Sequence, residues 1–389
     1  MTDKIPRNKE NDYTRKMVGE RSKFIKEKTG VELNHITSFS FEPSMVPGNI
    51  ENLIGAAQVP MGLAGPLLVH GEYARGEFFV PLATSEGTLV ASYNRGMRIM
   101  HESGGITTTV SDDAMQRAPV FMFKDARYSR DFGKWIDENF EEIRKQAEST
   151  TKIGKLLKIE QFHVGKIMYL RFHFSTGDAA GQNMVGKATF FACKWIVQNN
   201  NTIERFLLSG NIDTDKKHSA LNTLSSRGKR VTAEAVIPRS LFIETLRVTP
   251  EKAVNMRLVS TIGSFIAGAN NNGLHSANGI TALFIATGQD VANVAESSAA
   301  INYAEVTENG DYYYMIVIPS LIVATHGGGT GLATQQESLN ILDCNGAGKA
   351  KKLAEIVAAT VISGEISLAA AAISGEEWVS SHDTYGRNR

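Results

Sequence analysis

The sequence predicts an α+β protein in which one large unit is interrupted by a smaller, inserted unit. The alternating residues 167–174 are typical of a strand, and the charged residues 131–148 follow a helical pattern. Sequence rich in Gly and Ala stands before this region and resumes after Arg230 with a helical texture. Because the Gly- and Ala-rich composition returns after the middle region, we interpret the middle of the chain as an insertion.

The elements expected outside the insertion follow the chain in order. Residues 1–48 are charged, carry a helical pattern at 14–29, and are predicted to form an N-terminal helical segment. A strand is expected at 77–82. A helix is expected from Glu86, since the two residues before it, Thr and Ser, resemble an N-terminal cap.

The composition is that of an ordinary globular protein. The 389 residues leave room for about two or three domains. Hydrophobic residues make up 42% and charged residues 21%, which excludes the disordered and fibrous classes. The 41 basic and 41 acidic residues give a net charge of zero. That balance argues against a general binder of nucleic acid or of anionic membranes.

The cysteine count and the apolar stretches predict the compartment. Cys193 and Cys344 are too few for a disulfide framework or a paired-cysteine metal site, so a reducing compartment and no bound metal are expected. The polar N-terminus shows no apolar signal core. The stretches 312–324 and 356–374 are interrupted by a proline and a glutamate, respectively, and neither is expected to span a bilayer. We therefore expect a cytoplasmic protein without a membrane partner.

A glycine turn follows the predicted strand at 167–174. Residues 175–184 would place free N–H groups at a helix start, which favours a phosphate, although an ordinary strand-to-helix turn explains them equally well. Residues 181–187 have the GxxxxGK spacing of a P-loop, but Ala188 stands where a magnesium-binding Ser or Thr is needed. A phosphate-binding ATPase is therefore one alternative.

Several polar residues lie among small or apolar neighbours. They are Glu86, Lys216 beside Lys217, Asp290 and His382. Each alone is explained more simply as a helix cap, a solvated loop residue or part of a tail. Together they supply a carboxylic acid, an ammonium group, a second carboxylate and an imidazole, which form an acid–base set suited to carbonyl reduction.

A series of motifs recurs in constant order from about residue 51 to the end of the chain. They are Glu51-Asn-Leu-Ile-Gly55, Pro60-Met-Gly-Leu-Ala-Gly-Pro66, Pro81-Leu-Ala-Thr-Ser-Glu-Gly87, Ala91-Ser-Tyr-Asn-Arg-Gly96, residues 177–184, Thr214-Asp-Lys-Lys217, Gly288-Gln-Asp290 and Gly327-Gly-Gly-Thr330. Through these motifs the chain resembles the hydroxymethylglutaryl-coenzyme A (HMG-CoA) reductase family. The Thr-Asp-Lys-Lys loop and the short end after His382 resemble the eukaryotic-type class, here in a soluble prokaryotic form.

The resemblance implies a four-electron reduction of HMG-CoA to mevalonate and coenzyme A with two NADPH. It implies that Lys216 stabilises the oxyanion at the thioester carbonyl. Glu86 would donate a proton to the aldehyde, and Asp290 would lie between these two groups and keep the lysine charged. His382 would protonate the departing thiolate.

The resemblance also implies binding residues and an assembly. The substrate would contact Arg117, Ser209, Asp215, Lys217, His275 and Asn278, and coenzyme A or the dimer contact would involve Glu51, Asn52 and Arg95. The cofactor would contact Asp178, Gln182, Asn183 and Met184. Active sites at a subunit interface would make the protein a homodimer or a tetramer built from dimers.

The implied fold is a large HMG-CoA-binding domain around a long central helix, with an inserted ferredoxin-like cofactor domain. After the segment 1–48, the expected units are 49–118 for the first part of the large domain, 119–208 for the cofactor domain, 209–221 for a catalytic connecting loop, and 222–389 for the second part of the large domain.

The sequence departs from the family pattern at three places. Ala180 and Gln182 replace two methionines of the cofactor motif. Lys152 stands where an arginine for the cofactor phosphate is expected, and because lysine binds phosphate only as a point charge, NADH stays open beside NADPH. Met256 and Arg257 stand where a lysine for the substrate carboxylate is expected, and Arg257 is the candidate replacement.

A non-catalytic coenzyme A-binding homologue is the remaining alternative. The complete set of Glu86, Lys216, Asp290 and His382 argues against it, because a binding protein has no need of all four.

Overall fold

Helices pack against a sheet whose strand pairs are almost all antiparallel, as expected of an α+β protein. The computed structural model describes residues 4–269 and 271–374. The helices are α1 (Arg15–Thr29), α2 (Leu89–Glu102), α3 (Ala126–Glu138), α4 (Phe140–Glu148), α5 (Gln182–Asn199), α6 (Ala220–Leu224), α7 (Arg239–Leu246), α8 (Pro250–Ile266), α9 (Ser276–Thr287), α10 (Val294–Ser297), α11 (Ala333–Ile341) and α12 (Ala350–Ser374). The strands are β1 (Met61–Gly71), β2 (Arg75–Ala83), β3 (Ile106–Arg117), β4 (Val120–Met122), β5 (Lys155–Val164), β6 (Ile167–Ser175), β7 (Arg205–Leu207), β8 (Gly228–Ile237), β9 (Ile301–Val306) and β10 (Tyr312–Leu321).

Most of the predicted elements are confirmed, and two boundaries were wrong. The charged run at 131–148 is two helices, because the chain leaves the helical conformation at Asn139. The helix expected from Glu86 begins at Leu89 instead. Thr88 adopts a left-handed conformation with φ of 71°, so the chain cannot continue a helix through it, and Glu86 stays in the preceding turn.

The strands of both units belong to one hydrogen-bonded sheet of ten strands. Its main path runs β7-β4-β6-β3-β8-β10-β9, while β2 and β5 pair at the sides through β1 and β6. Strand β3 pairs with a strand of each unit: its residues 107–114 pair with β8 of the larger unit, and residues 115–117 pair with β6 of the smaller unit. The smaller unit is therefore joined to the larger one through a continuous strand.

The larger core surrounds α12. This helix packs against α2, α9 and β8, and its side chains Leu353, Val357 and Val361 are buried. It is long and apolar enough to cross a membrane, but 94% of its apolar window is buried inside the protein, as in a core helix. A Cβ atom at Gly96 of α2 would lie 1.8 Å from the carbonyl oxygen of Ser363, so glycine is what allows the two helices to meet.

The smaller core is rich in phenylalanine. Phe121 of β4 and Phe172 and Phe174 of β6 are fully buried, and helices α3, α4 and α5 cover this part of the sheet. Phe132 of α3 lies 5.0 Å from Phe121 between ring centroids. Burial of large apolar side chains, worth about 1.5–3 kcal/mol each, stabilises this unit separately from the α12 core.

Candidate active site

Lys216 lies on a loop of unusual backbone conformation. Asn211, Thr214 and Lys216 itself have φ between 55° and 68°, a left-handed region that side chains disfavour. The Nζ atom of Lys216 lies 2.8 Å from Oδ2 of Asp290, and both side chains are nearly half exposed. This contact with Asp290 raises the pKa of Lys216, so the amine stays charged.

Two aspartates of this loop accept hydrogen bonds that fix its conformation. Asp213 is buried and accepts hydrogen bonds from Arg117 Nη1 at 2.8 Å and Ser209 Oγ at 3.0 Å. Asp215 accepts one from Arg227 Nη2 at 2.7 Å and one from Gln182 Nε2 at 3.1 Å. The structure thus brings Arg117, Ser209 and Asp215 together around Lys216, as side chains that position the loop.

Arg227 connects the loop to the interior. Its fully buried guanidinium also donates to Oε1 of Glu296 at 3.0 Å and to the carbonyl oxygen of Gln116 at 3.0 Å. Burial raises the pKa of Glu296 to about 7. Asp215 and Glu296 therefore share one buried cation on the inner side of the loop.

A second polar group surrounds Glu86. Asn278 donates a hydrogen bond from Nδ2 to Glu86 Oε2 at 2.7 Å. Tyr93 donates from its hydroxyl to the carbonyl oxygen of His275 at 2.6 Å, and burial lowers the pKa of His275. Residues Glu86 and Asn278 border a cleft of about 450 Å³.

The two groups lie toward opposite ends of α9. This helix has 12 residues and is therefore about 18 Å long. Asn278 is in its first turn, whereas Asp290 follows its last turn. Asp290 was expected between Glu86 and Lys216, but among the described residues it pairs with Lys216 while Glu86 pairs with Asn278. Of the predicted catalytic residues, the described part of the chain thus separates Glu86 from Lys216 and Asp290.

The N-terminus of α5 opens onto the part that contains Lys216. Gln182, Asn183, Met184 and Asp290 border a cleft of about 660 Å³ that also includes residues 327–329. No side chain caps the first turn of α5, so its backbone N–H groups face the cleft with the positive end of the helix dipole. The helix start that was predicted to favour a phosphate therefore borders the cleft beside Asp290.

Lys152 lies in the loop that contacts the first turn of α5. Its neighbour Thr151 donates a hydrogen bond to Sδ of Met184 at 3.1 Å. Lys152 is itself exposed. Asp178 turns away from the cleft: its carboxylate accepts from the backbone N–H groups of Gly348 at 2.7 Å and Ala350 at 3.1 Å, which fixes the start of α12.

The chain matches one protein family over nearly its whole length. The family model described as "Hydroxymethylglutaryl-coenzyme A reductase" matches residues 17–387. The chain belongs to this family. The 3-hydroxy-3-methylglutaryl-coenzyme A reductase of Pyrococcus horikoshii is 44% identical over 375 residues, covering 94% of this chain and 91% of that protein. The same-named protein of Methanocaldococcus jannaschii is 45% identical over 362 residues, covering 91% and 89%.

Solved structures show the same fold. The 3-hydroxy-3-methylglutaryl-coenzyme A reductase of Streptococcus pneumoniae superposes with a TM-score of 0.69 at 20% identity, over 85% of this chain and 88% of that one. A class II enzyme of the same organism, solved with NADPH in open conformations, gives 0.68 at 20% identity, over 85% and 79%. The α+β architecture is thus that of this family.

Three of the residues expected to make family contacts have other partners within the chain. Lys217 donates from Nζ to the carbonyl oxygen of Asp215 at 2.9 Å. Asn52 accepts a hydrogen bond from Arg7 at 2.8 Å, and Arg95 donates to Oγ of Ser367 at 3.0 Å. Glu51 is exposed. His382 lies outside the described residues.

The role expected for Arg257 needs correction. The residue is buried, and Nη1 lies 3.4 Å from Oε2 of Glu365 on α12. Its guanidinium also lies 4.8 Å from the centre of the Tyr314 ring. A side chain held in the interior by a carboxylate and an aromatic ring is not available to a substrate carboxylate.

The P-loop alternative is also wrong. That motif requires a loop between its two glycines whose N–H groups surround the phosphates. Here α5 begins at Gln182, so Gly186 and Lys187 lie inside a helix whose N–H groups bond to the preceding turn.

Within the described residues, no three His, Cys, Asp or Glu side chains are grouped as metal ligands would be.

The sequence did not reveal the residues that hold the site together. Arg227, Asp213 and Glu296 carried no motif signal, and Tyr93 was quoted only as a member of the motif at 91–96. Glu365 had been noticed only as a charge that interrupts an apolar stretch. Its position in a run of Ala, Ile and Val was the sign available in the sequence: an acid within a buried stretch, as Glu365 is, needs a buried partner.

Proposed function

We propose that this chain reduces HMG-CoA to mevalonate and free coenzyme A, using two NADPH per turnover. The observation that carries the proposal is the Lys216–Asp290 pair, 2.8 Å apart, at the edge of the cleft that α5 opens onto. A fixed cation beside an anion-binding helix end is what hydride reduction of a thioester needs. The curated relatives at 44–45% identity have the corresponding name.

Lys216 provides the charge for this chemistry. A charged amine at the cleft edge stabilises the negative charge that develops on the carbonyl oxygen. Asp290 keeps the amine protonated and oriented. We assign to Glu86 the proton that the aldehyde oxygen receives, and to His382 the proton that the departing thiolate receives, which prevents its return to the aldehyde.

The cleft fits a nicotinamide cofactor. Its volume of about 660 Å³ and the uncapped N-terminus of α5 suit a large anionic ligand. Gln182, Asn183 and Met184 would border the cofactor, with Lys152 near its 2′-phosphate and Asp178 supporting the turn from behind. The cofactor supplies hydride when bound. A single lysine at Lys152 leaves NADH as a second donor.

We propose that two chains complete each site. Glu86 and Lys216 lie at different ends of α9 in one chain, so a second copy is needed to place Glu86 of one protomer opposite Lys216 of the other. The substrate would then contact Arg117, Ser209, Asp215 and Lys217 from one side and His275 and Asn278 from the other. Glu51, Asn52 and Arg95 are assigned to the coenzyme A side or the dimer contact, and the assembly is a homodimer or a tetramer of dimers.

We assign the chain to the eukaryotic-type class, as a soluble cytoplasmic form. In support, it is 37% identical over 380 residues to 3-hydroxy-3-methylglutaryl-coenzyme A reductase 2 of Gossypium hirsutum, covering 95% of this chain and 60% of that protein, but only 20% identical to the class II structure. We also propose the unit boundaries 49–118, 119–208, 209–221 and 222–389, because β3 changes its pairing partner just before residue 118.

The test is oxidation of NADPH, then of NADH, with HMG-CoA. The wild type should turn over, and Lys216→Ala should lower kcat by about 10²–10³-fold because the oxyanion loses its charge partner. His382→Gln should be strongly impaired. Lys187→Ala is the matched control, since this exposed lysine lies outside the cleft, and its activity should be unchanged. A folded wild type without turnover would leave the non-catalytic homologue as the answer.

The shared site has its own test. Glu86→Gln and Lys216→Ala chains are each expected to be inactive. Co-expressed, they should form mixed dimers in which one of two sites has both native residues, giving about one quarter of wild-type activity in a statistical mixture. No recovery, with mixed dimers present, would contradict a site formed by two chains.

A further inference from the structure

The side chain of Gln182 lies where the start of α5, the loop of Lys216 and the turn after Asp290 meet. Its Nε2 atom donates one hydrogen bond to Oδ1 of Asp215 at 3.1 Å and one to Oδ1 of Asn293 at 2.9 Å. A side-chain amide nitrogen carries two hydrogens, so both are used here. The two acceptors belong to different segments, and a single amide group therefore joins three parts of the chain.

Both acceptors are neighbours of the Lys216–Asp290 pair. Asp215 directly precedes Lys216 in the sequence. Asn293 ends the short turn Val291–Asn293, and its backbone N–H donates to the carbonyl oxygen of Asp290 at 2.9 Å. The contact with Asp290, and after it the nearby charge of Asp215, raises the pKa of Lys216. A shift of either acceptor would therefore change the surroundings of the lysine.

The backbone holds Gln182 in a constrained place. It is the first residue of α5, and Gly181 before it is left-handed with φ of 81°. A Cβ atom at Gly181 would lie 2.3 Å from Cγ2 of Thr176, so glycine is required for this close approach. Thr176 in turn donates to the carbonyl oxygen of Ala179 at 2.8 Å. The amide of Gln182 is thus presented from a tight, hydrogen-bonded turn.

A methionine, which the family pattern has in place of Gln182, could not form this link. A thioether donates no hydrogen bond and accepts only weakly. Asn293 is 1% exposed, so its amide oxygen depends on a donor from within the protein. Gln182 also borders the same cleft as Asp290. The glutamine therefore replaces an apolar side chain of the cleft wall with a polar link to the lysine pair.

We infer that Gln182 is a positioning residue, which holds the Lys216–Asp290 pair in a fixed place relative to the first turn of α5. The inference rests on the proposed reduction of HMG-CoA and adds the residue that aligns the charged pair with the cofactor cleft. A misplacement of about 1 Å can lower a rate about 10²-fold, so this alignment bears on kcat.

Kinetics and cofactor binding of Gln182→Met test the inference. The variant should lower kcat by about 10–100-fold, because the loop and the turn lose their common donor. Its Kd for NADPH, from a titration of nicotinamide fluorescence, should change by less than about threefold. Asn183→Met is the matched contrast, since this exposed neighbour borders the same cleft. That variant should weaken NADPH binding and leave kcat closer to that of the wild type.

Urea unfolding of the unliganded protein measures the link itself. Gln182→Met and Asn293→Leu should each lower the urea midpoint. The double variant should fall little below the lower of the two single variants, because the hydrogen bond that they share can be lost only once. The losses in kcat should be non-additive in the same way. Losses that simply add in the double variant would overturn the inference.

The outcomes separate the inference from the proposed function. A Gln182→Met protein with the kcat of the wild type and a weaker affinity for NADPH overturns the inference, because Gln182 is then only a cofactor contact, while the reductase function stands. A lowered kcat with nearly unchanged NADPH binding supports it. A folded wild type that binds NADPH but does not reduce HMG-CoA rejects the proposed function and, with it, the inference.

Discussion

Arg227 is the residue on which the loop of Lys216 depends most directly. It lies in the interior with no exposed surface and binds two carboxylates, Asp215 at 2.7 Å and Glu296 at 3.0 Å. Removing this buried cation would leave Glu296 buried without its ion-pair partner. Asp215 is 29% exposed and would keep Gln182 and the more distant Arg117 as partners. The position of Lys216, the proposed catalytic lysine, thus depends on a buried residue that is not among those bordering the cleft.

We expect Arg227→Met to lose both stability and catalysis. The free energy of unfolding should fall by about 3–5 kcal/mol, because the buried Glu296 loses its ion-pair partner and the partly exposed Asp215 loses its nearest one. In the folded fraction kcat should fall more than KM rises, since Lys216 is displaced while the cleft remains. Arg227→Met combined with Glu296→Met should recover part of the stability. A kcat equal to wild type in the folded single variant would contradict this account.

His173 gives a prediction about pH. Its Nδ1 atom accepts from Gln116 at 3.1 Å and Nε2 lies 2.8 Å from Glu160, so the ring is neutral with its hydrogen on Nε2. Burial, followed by the nearby Arg171, lowers the pKa of His173 from 6.5 to about 4. The folded state therefore resists protonation that the unfolded chain accepts. Stability is fully present above pH 6.5 and is lost as pH falls toward 4.

Urea unfolding at pH 7 and pH 5 measures this effect. Wild type should lose about 2 kcal/mol from His173 between these values. His173→Gln cannot take up a proton and should lose correspondingly less. Equal losses in both proteins would show that folding does not lower the pKa of His173.

At the scale of elements, close helix contacts decide where glycine is required. Gly96 in α2 and Gly19 in α1 are both inside helices, but their surroundings differ. A Cβ atom at Gly96 would lie 1.8 Å from a backbone oxygen of α12, whereas one at Gly19 would meet no atom within 4 Å.

These two glycines form a matched pair. Gly19→Ala should stabilise the protein by about 0.5–1 kcal/mol through helix propensity. Gly96→Ala should destabilise it by several times that amount, because α2 must move away from α12. Thermal unfolding of both variants, compared with wild type, gives the signs, and a stabilising Gly96→Ala would contradict the described contact.

Local patterns were sufficient for some elements and insufficient for others. The helix at 14–29 was predicted because its side-chain period reflects burial on one face. The strand at 167–174 was predicted from its alternating residue types, although residues 170–174 are all buried. The late start of α2 was missed, since the left-handed Thr88 is imposed by surrounding structure and not by its residue type. Asn139 likewise divides a helix that the charge pattern alone could not divide.

At the scale of the whole molecule, the candidate site was predicted as a set of residues but not as an arrangement. Family motifs supplied Glu86, Lys216 and Asp290. Their division between the two ends of α9 depends on contacts far apart in the sequence, such as Glu86 with Asn278, 192 residues later. Arg257 was misassigned for the same reason, because its partner Glu365 is 108 residues away.

Dilution provides a prediction at this scale. If each site needs two chains, activity per chain should fall once the protein is diluted below the dissociation constant of the dimer. Activity strictly proportional to concentration over the range in which sedimentation shows dissociation would mean that one chain is enough.

Strand β3 limits how the smaller unit can move relative to the larger one. Its backbone pairs with β8 of the larger unit and, without interruption, with β6 of the smaller one. A rotation of the two units as separate bodies would have to twist this strand and break ladder hydrogen bonds near residue 114. Ligand entry and release must therefore use torsional changes in the loops around the clefts, with the units themselves behaving as a single stiff frame.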